Sequence, residues 1–268
     1  MRRSALNITF VAIAGLLLAG CDSAGRTGGP SSAPLTPGLG SAAASGKVNV
    51  FAAASLKEAF TKLGKQFEAA HPGTKVVFNF GPSSGLATQI NQGAPADVFA
   101  SASTTNMDQV VKAGNAASPE NFASNVMEIA VPAGNPAGIA GLPDLARPTV
   151  KVALCQATVP CGATAAKVFT NATLTVTPVT QEADVKAVLT KVTLGEVDAG
   201  LVYLTDVRAA SDKVVWGIVI PASLNASTVY PIATLTKAPN RATGQAFADY
   251  VLSADAASAL TAAGFAKP

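Results

Sequence analysis

Histidine, charged residues and clusters of basic residues are scarce in this sequence of 268 residues. It contains one histidine, 13% charged residues and a formal net charge of +3. Removing an N-terminal segment that carries Arg2 and Arg3 leaves 17 basic residues against 16 acidic ones, so the remainder is nearly neutral. Without a run of lysine or arginine there is no broad positive field for a phosphate backbone, which excludes nucleic-acid binding.

Two other classes of protein depend on residues that are few here. A Ser-His-Asp hydrolase would have to use His71, which stands in a His-Pro-Gly turn, and no cysteine and histidine cluster has the spacing of a metal site. Ferric-iron sites use several tyrosines and carboxylates, whereas this sequence has three tyrosines, none paired in sequence. An exported hydrolase and a ferric-binding protein therefore stay as alternatives only, and no cofactor is expected.

The N-terminus has the order of a secretory signal: two arginines, an apolar stretch of about sixteen residues, then small residues. The stretch is too short for a good membrane-spanning helix. Leu18–Cys21 (LAGC) resembles the lipobox of bacterial lipoprotein precursors, in which the cysteine receives a lipid such as palmitate. We therefore predict a lipoprotein signal peptide over 1–20 and an exported protein anchored by Cys21 to the outer face of the cytoplasmic membrane. The alternative is an ordinary signal peptide followed by an incidental cysteine.

The segment after Cys21 is almost wholly glycine, serine, alanine, proline and threonine. Such a composition cannot bury enough apolar surface to order itself. Residues 21–46 are therefore interpreted as a lipidated cysteine and a flexible linker.

Cys155 and Cys161 are the two cysteines that remain. Spacing alone leaves two alternatives, a local disulfide or two reduced and partly buried thiols. A compartment outside the cytoplasm favours the disulfide.

From residue 47 the sequence alternates short apolar strands with amphipathic helices, a pattern that predicts an α/β fold with largely parallel sheets. A strand is predicted over Val48–Phe51. The helix after it has one apolar face, formed by Leu56, Phe60, Leu63 and Phe67. Ser55, with Glu58 three residues later, has the spacing of a capping box, so Ser55 is expected to open this helix.

The order of these elements predicts two α/β lobes joined by a hinge of two chain segments. The first lobe is assigned to 47–128, the second to 129–229, and the return to the first lobe to 230–268. A loop rich in glycine and proline follows the apolar segment Asn125–Val131 that leaves the first lobe.

Several junctions share one form, in which a strand ends, a small residue follows and a helix begins. Such a junction presents unpaired backbone N–H groups and the positive end of a helix dipole, which suits an anion. The junctions lie at Ser55, at Ser83, at Cys161 and at Val185. Each one alone is better explained by a helix cap or a turn, and only their coincidence favours a binding site. Because ligands bind at the carboxyl ends of strands in open α/β sheets, the four can converge on one cleft.

Six separated motifs occur in one order in this sequence. They are VFAAASL (50–56), GPSSGLATQI (81–90), GAPADVFASA (93–102), VPCG (159–162), EADVKAVL (182–189) and GLVYLTDV (200–207). Together they resemble the molybdate-binding components of bacterial ABC importers, from about Val48 to the C-terminus. The resemblance implies the type II periplasmic-binding-protein fold, with a tetrahedral oxyanion held between the lobes.

Carried over by position, the resemblance implies a ligand set of hydroxyls, backbone amides and a phenol. Its members are the hydroxyls and amides of Ser55 and Ser83, the amides of Cys161 and Val185, and the phenol of Tyr203. It also implies molybdenum bound only as its oxyanion with no direct protein–metal ligand, tungstate as a second ligand, a permease and its ATPase as partners, a monomer, and no enzymatic activity. Cys161 departs from the family, which commonly has a small residue such as alanine there.

Tyr203 and two nearby carboxylates, Asp184 and Asp206, each have two interpretations. Tyr203 could be a core residue whose hydroxyl finds a partner in the protein. Asp184 and Asp206 could orient their neighbours or serve only at the solvated start of a helix.

A set of donors alone matches a dianion that offers only acceptors. Hydrogen phosphate would leave its remaining proton buried and unpaired, at a cost of about 1–3 kcal/mol. Sulfate is a dianion of the same shape, so a sulfate-binding protein remains an alternative.

Overall fold

A computed structural model describes residues 45–210 and 215–268. The predicted signal peptide, Cys21 and nearly all of the predicted linker lie outside the described residues. Within the described residues, no helix is both long enough and apolar enough to span a membrane.

Nine strands lie in the described part of the chain. They are β1 (Gly46–Ala53), β2 (Thr74–Gly81), β3 (Val98–Ala100), β4 (Glu120–Pro132), β5 (Val152–Cys155), β6 (Thr180–Glu182), β7 (Ala199–Tyr203), β8 (Val215–Val219) and β9 (Ser227–Thr234).

Eight α-helices alternate with these strands. They are α1 (Lys57–Ala70), α2 (Ser83–Asn91), α3 (Thr104–Lys112), α4 (Pro160–Asn171), α5 (Val185–Thr193), α6 (Leu204–Ala209), α7 (Arg241–Val251) and α8 (Ala254–Ala263). Short 3-10 helices cover Ala54–Leu56 and Leu142–Ala146.

The strands are hydrogen-bonded in the order β2-β1-β3-β9-β4-β7-β5-β6, and β8 pairs with β4. In the first lobe β1 runs parallel to β2 and β3, and in the second β5 runs parallel to β6 and β7. The strand β4 is antiparallel to its neighbours β7, β8 and β9. The α/β fold with two lobes is therefore as predicted from the sequence.

The first lobe has apolar packing on both faces of its sheet. On β1, Val48 and Val50 belong to one buried cluster and Phe51 to another, which is expected of a central parallel strand covered by helices on both faces. Helix α1 contributes Phe60 to the first cluster, and its ring lies 6.2 Å from that of Phe247 in α7. The predicted apolar face of α1 is fully buried.

The second lobe has one continuous core, from Met127 to Ile220 along the chain. The valines at the start and middle of α5, Val185 and Val188, are buried in it beside Val202 of β7. Burial of each such side chain stabilises the fold by about 1.5–3 kcal/mol. The helix N-termini at the cleft are therefore held on a rigid core.

Strand β4 forms one hinge segment, because it pairs with β9 through Val126 and with β7 from Met127. The segment that returns from β8 to β9 forms the other. Asn225 in that return segment joins the two, since its side chain accepts a hydrogen bond from Met127 N at 3.1 Å and donates one to Met127 O at 2.8 Å.

Candidate functional site

A narrow cavity of about 20 Å³, partly open to solvent, lies between the two lobes. The structure brings all five sequence-predicted site residues to its wall. They are Ser55, Ser83, Cys161, Val185 and Tyr203. All residues of this wall are among those that the structure describes, and none of them is a lysine or an arginine.

Ser83 stands at the first position of α2, directly after β2, and is buried. Its Oγ accepts a hydrogen bond from the backbone N–H of Ala102 at 2.9 Å. A backbone amide can only donate, so the hydroxyl hydrogen of Ser83 stays available for an acceptor in the cavity.

Ser55 also lies on the first-lobe wall, but the capping box predicted for it is wrong. Ser55 lies inside the 3-10 helix Ala54–Leu56, and α1 begins at Lys57. No side chain caps the start of either helix. Its Oγ is instead 3.0 Å from the hydroxyl of Tyr230, with both residues buried. The Ser55 hydroxyl therefore pairs with Tyr230, 175 residues away, and not with a backbone N–H at the start of α1. Glu58, the other half of the predicted box, turns to the second lobe.

Two helix N-termini form part of the second-lobe wall. Cys161 is the second residue of α4, and Val185 is the first residue of α5. The carboxylate of Asp184 caps α5 by accepting the amides of Lys186 at 2.9 Å and Ala187 at 3.0 Å. This cap does not engage the amide of Val185, which therefore remains for the cavity. Asp184 is the charged residue of the wall, and its charge is taken up by the helix start.

A disulfide between Cys155 and Cys161 joins the end of β5 to the start of α4. Gly162 follows at once, and a Cβ placed on it would lie 2.0 Å from the carbonyl oxygen of Gln156. The turn between β5 and α4 is therefore too tight for any side chain at 162. This close packing sets the position of the Cys161 amide.

Tyr203 ends β7 and is almost fully buried. Thr164 lies near enough to lower the pKa of its phenol, yet no hydrogen bond of acceptable geometry reaches the Tyr203 hydroxyl from the described residues. Burial is the dominant effect and raises the pKa of the phenol far above its usual range, so the group stays neutral and protonated. It is a buried donor whose proton has no acceptor within the described protein, on the wall of the cavity.

Lys186 is a residue that the sequence reasoning missed. Its Nζ lies 2.7 Å from the buried carboxylate of Asp206 and 2.6 Å from Glu58 of α1, so it joins the two lobes. The other oxygen of Asp206 accepts the backbone N–H of Tyr203 at 3.1 Å. Asp206 therefore orients its neighbours, whereas Asp184 caps a helix.

The charged side chains of Lys186 and Asp206 do not line the cavity. Burial raises the pKa of the Asp206 carboxyl to about 6, although Lys186 lowers it. Burial lowers the pKa of Lys186, but Asp206 and Glu58 raise it overall. At neutral pH both partners are charged and neutralise each other, so Lys186 acts on the site only through the elements that it joins.

A hydrolytic centre does not fit the described residues, although Gly81–Gly85 (GPSSG) has the Gly-X-Ser-X-Gly spacing of a nucleophile elbow. His71 is held at the end of α1, where its Nδ1 lies 3.0 Å from Phe67 O and its ring stacks on that of Phe67. It does not line the cavity, so Ser83 has no general base there. No group of three metal-ligating side chains occurs in the described ranges.

Two α/β lobes with convergent donors between them have the architecture of a solute-binding protein. The sequence matches the family of bacterial extracellular solute-binding proteins over residues 48–266. It is 42% identical over 262 residues to the molybdate-binding protein ModA of Mycobacterium tuberculosis H37Rv, covering 97% of this chain and 96% of that protein. The chain belongs to this solute-binding family and, within it, to the ModA proteins.

Solved structures agree with the fold. The periplasmic molybdate-binding protein of Azotobacter vinelandii superposes with a TM-score of 0.73 at 21% identity, covering 82% of this chain and 99% of that one. The sulfate-binding protein SubI of Mycobacterium tuberculosis H37Rv superposes with a TM-score of 0.71 at 18% identity, covering 82% and 86%. One fold therefore accommodates different oxyanions, and the choice between them lies in the site.

Proposed function

We propose that this protein captures molybdate, and also tungstate, outside the cytoplasm and delivers it to an ABC importer made of a permease and its ATPase. The observation that carries the proposal is the cavity wall. Five residues from both lobes place uncharged donors around one space that is free of lysine and arginine. The ModA relatives give the ligand class.

The donors suit a dianion that has acceptors only. The hydroxyls of Ser55 and Ser83, the amides of Cys161 and Val185 and the phenol of Tyr203 would hold it, with no direct contact between protein and metal. Three helices of nine or more residues, α2, α4 and α5, begin at the wall. Each contributes about half a positive charge at its N-terminus, which offsets the dianion without a cationic side chain.

Calorimetric titration of the purified protein with molybdate, tungstate, sulfate and phosphate tests this function. We expect tight binding of the first two and weak binding of the last two. The affinity for hydrogen phosphate should be lower than that for molybdate by at least about tenfold, because the proton of hydrogen phosphate would be buried without an acceptor. Binding of sulfate as tight as that of molybdate would replace the proposal by the sulfate alternative.

We further propose that Cys21 carries the lipid that holds this monomeric protein at the outer face of the cytoplasmic membrane. The proposal is supported by Leu18–Cys21 and by the composition of the linker. A Cys21→Ser variant should move from the membrane fraction to the soluble extracytoplasmic fraction. Retention in the membrane at the level of the unmodified protein would refute the anchor.

The lobe boundaries at 47–128, 129–229 and 230–268 are also proposed. They are supported by the hydrophobic clusters, which divide close to these positions. Binding would close the cleft, because donors on both lobes can be satisfied together only around the ligand.

A further inference from the structure

A buried row of polar side chains extends from Ser55, and Ser55 is the member of the row that lines the cavity. The hydroxyl of Tyr230 is 3.0 Å from Ser55 Oγ, and Asn125 Nδ2 is 3.5 Å from the Tyr230 hydroxyl. The same Nδ2 donates to Thr205 Oγ1 at 2.8 Å. All four residues are at most 5% exposed, which strengthens the hydrogen bonds among them. Ser55 and Thr205 also line a second pocket that opens to solvent.

The orientation of the Asn125 side chain follows from its other contact. Its Oδ1 lies 3.0 Å from the backbone N–H of Val126. Because a backbone amide can only donate, the atom that faces it must be the oxygen. The NH₂ group is thereby turned toward Thr205 and Tyr230 and can only donate to them.

This orientation decides where the hydrogen of Tyr230 points. Its hydroxyl contacts the Asn125 NH₂ group, which cannot accept, and Ser55 Oγ, which can. Burial raises the pKa of the Tyr230 phenol well above its ordinary value, so the hydrogen is always present. Within the described residues, Ser55 Oγ is therefore the acceptor for that hydrogen.

We propose that Tyr230, oriented by Asn125, is a positioning and specificity residue that makes Ser55 a donor only toward the cavity. The proposal rests on the oxyanion-binding function above. Tyr230 donates to one lone pair of Ser55 Oγ, and its hydrogen fills that direction. The Ser55 hydrogen is thereby turned toward the cavity, where it is what Ser55 offers a bound ion. Ser83 is placed in the same way by the backbone amide of Ala102. Both serines then favour an ion without a proton and exclude one that must donate, such as hydrogen phosphate.

A Tyr230→Phe variant tests this role, because it keeps the ring that packs on Phe122 and Phe265 and removes only the hydroxyl. The Ser55 hydrogen can then turn into the space that the phenol hydroxyl leaves, which presents a lone pair of Ser55 Oγ to the proton of hydrogen phosphate. At mildly alkaline pH, calorimetry should show the ratio of molybdate to hydrogen phosphate affinity falling about tenfold. Tyr250→Phe is the matched control, since that surface hydroxyl donates to Gln66 and the ratio should not move.

Asn125→Asp is a second route to the same test. Its second carboxylate oxygen would accept the hydrogen of Tyr230 and release Ser55, so the ratio should fall again. The added negative charge lowers the affinity for both dianions alike, so this effect cancels in the ratio of the two affinities.

The wild-type titrations separate this inference from the function. If the wild type binds sulfate and not molybdate, the function is refuted and the ratio is formed with sulfate, which still tests Tyr230. Equal losses for the unprotonated ion and hydrogen phosphate in Tyr230→Phe would mean a structural role only and would overturn the inference. A wild type that bound none of these ions would refute both.

Discussion

Substitution of Gly162 by alanine is expected to lower the affinity for molybdate by more than about 100-fold and the free energy of unfolding by about 2 kcal/mol. The new Cβ would lie 2.0 Å from the carbonyl oxygen of Gln156 and 2.8 Å from that of Cys155. Both are backbone atoms that cannot turn aside. The start of α4 must therefore move, and it takes with it the amide of Cys161.

Gly85→Ala supplies a matched control. Gly85 is the third residue of α2, as Gly162 is of α4, and both helices begin at the cavity. The Cβ at 85 would meet only the ring of Pro82, at 3.3 Å. We expect a change in affinity of less than about threefold there, since alanine also favours the helix. Calorimetry and urea denaturation of both variants check this, and equal behaviour of the two would show that the β5–α4 turn does not position the site.

Replacement of Tyr203 by phenylalanine should separate affinity from stability. In the proposed site the phenol is a charge-assisted donor to the ion, so its loss should lower the affinity by about 10- to 100-fold. The unfolding free energy of the ligand-free protein should stay the same or rise by up to about 1 kcal/mol, because the phenol has no partner in the described protein to lose.

Titration calorimetry gives the first quantity and urea denaturation without ligand gives the second. Tyr250→Phe should change neither by a comparable amount, because its hydroxyl lies at the surface. A Tyr203→Phe protein that lost stability while keeping its affinity would assign Tyr203 to the core and remove it from the site.

Local pattern was sufficient for the parts of the fold that depend on neighbours in sequence. The apolar face of α1, at Phe60, Leu63 and Phe67, follows from helical spacing and is buried as predicted. The positions of Cys161 and Val185 at helix starts follow from the change of strand pattern to helix pattern. Each of these features is encoded within about ten residues.

Features that join distant segments could not be read in this way. Ser55 fits a helix cap by its neighbours, yet its hydroxyl pairs with Tyr230, 175 residues on. Lys186 looks like a solvated helix residue, yet it pairs with Glu58, 128 residues away. A local propensity of about 1 kcal/mol yields readily to a buried partner from another element.

Two strands show the same limit. The sequence predicts an apolar segment from Asn125, but β4 begins at Glu120 because pairing with β9 extends it into the first lobe. Strand β8 is not predicted, because its sequence VWGIV has no alternation of apolar and polar residues. Its pairing with β4 defines it instead.

A crystal structure of the protein grown with molybdate tests most directly whether uncharged donors from both lobes hold the ion. We expect the anomalous signal of molybdenum in the cavity, with the hydroxyls of Ser55 and Ser83, the amides of Cys161 and Val185 and the phenol of Tyr203 about 3 Å from its oxygens. An ion bound elsewhere, or one contacted by a lysine or arginine side chain, would contradict this account.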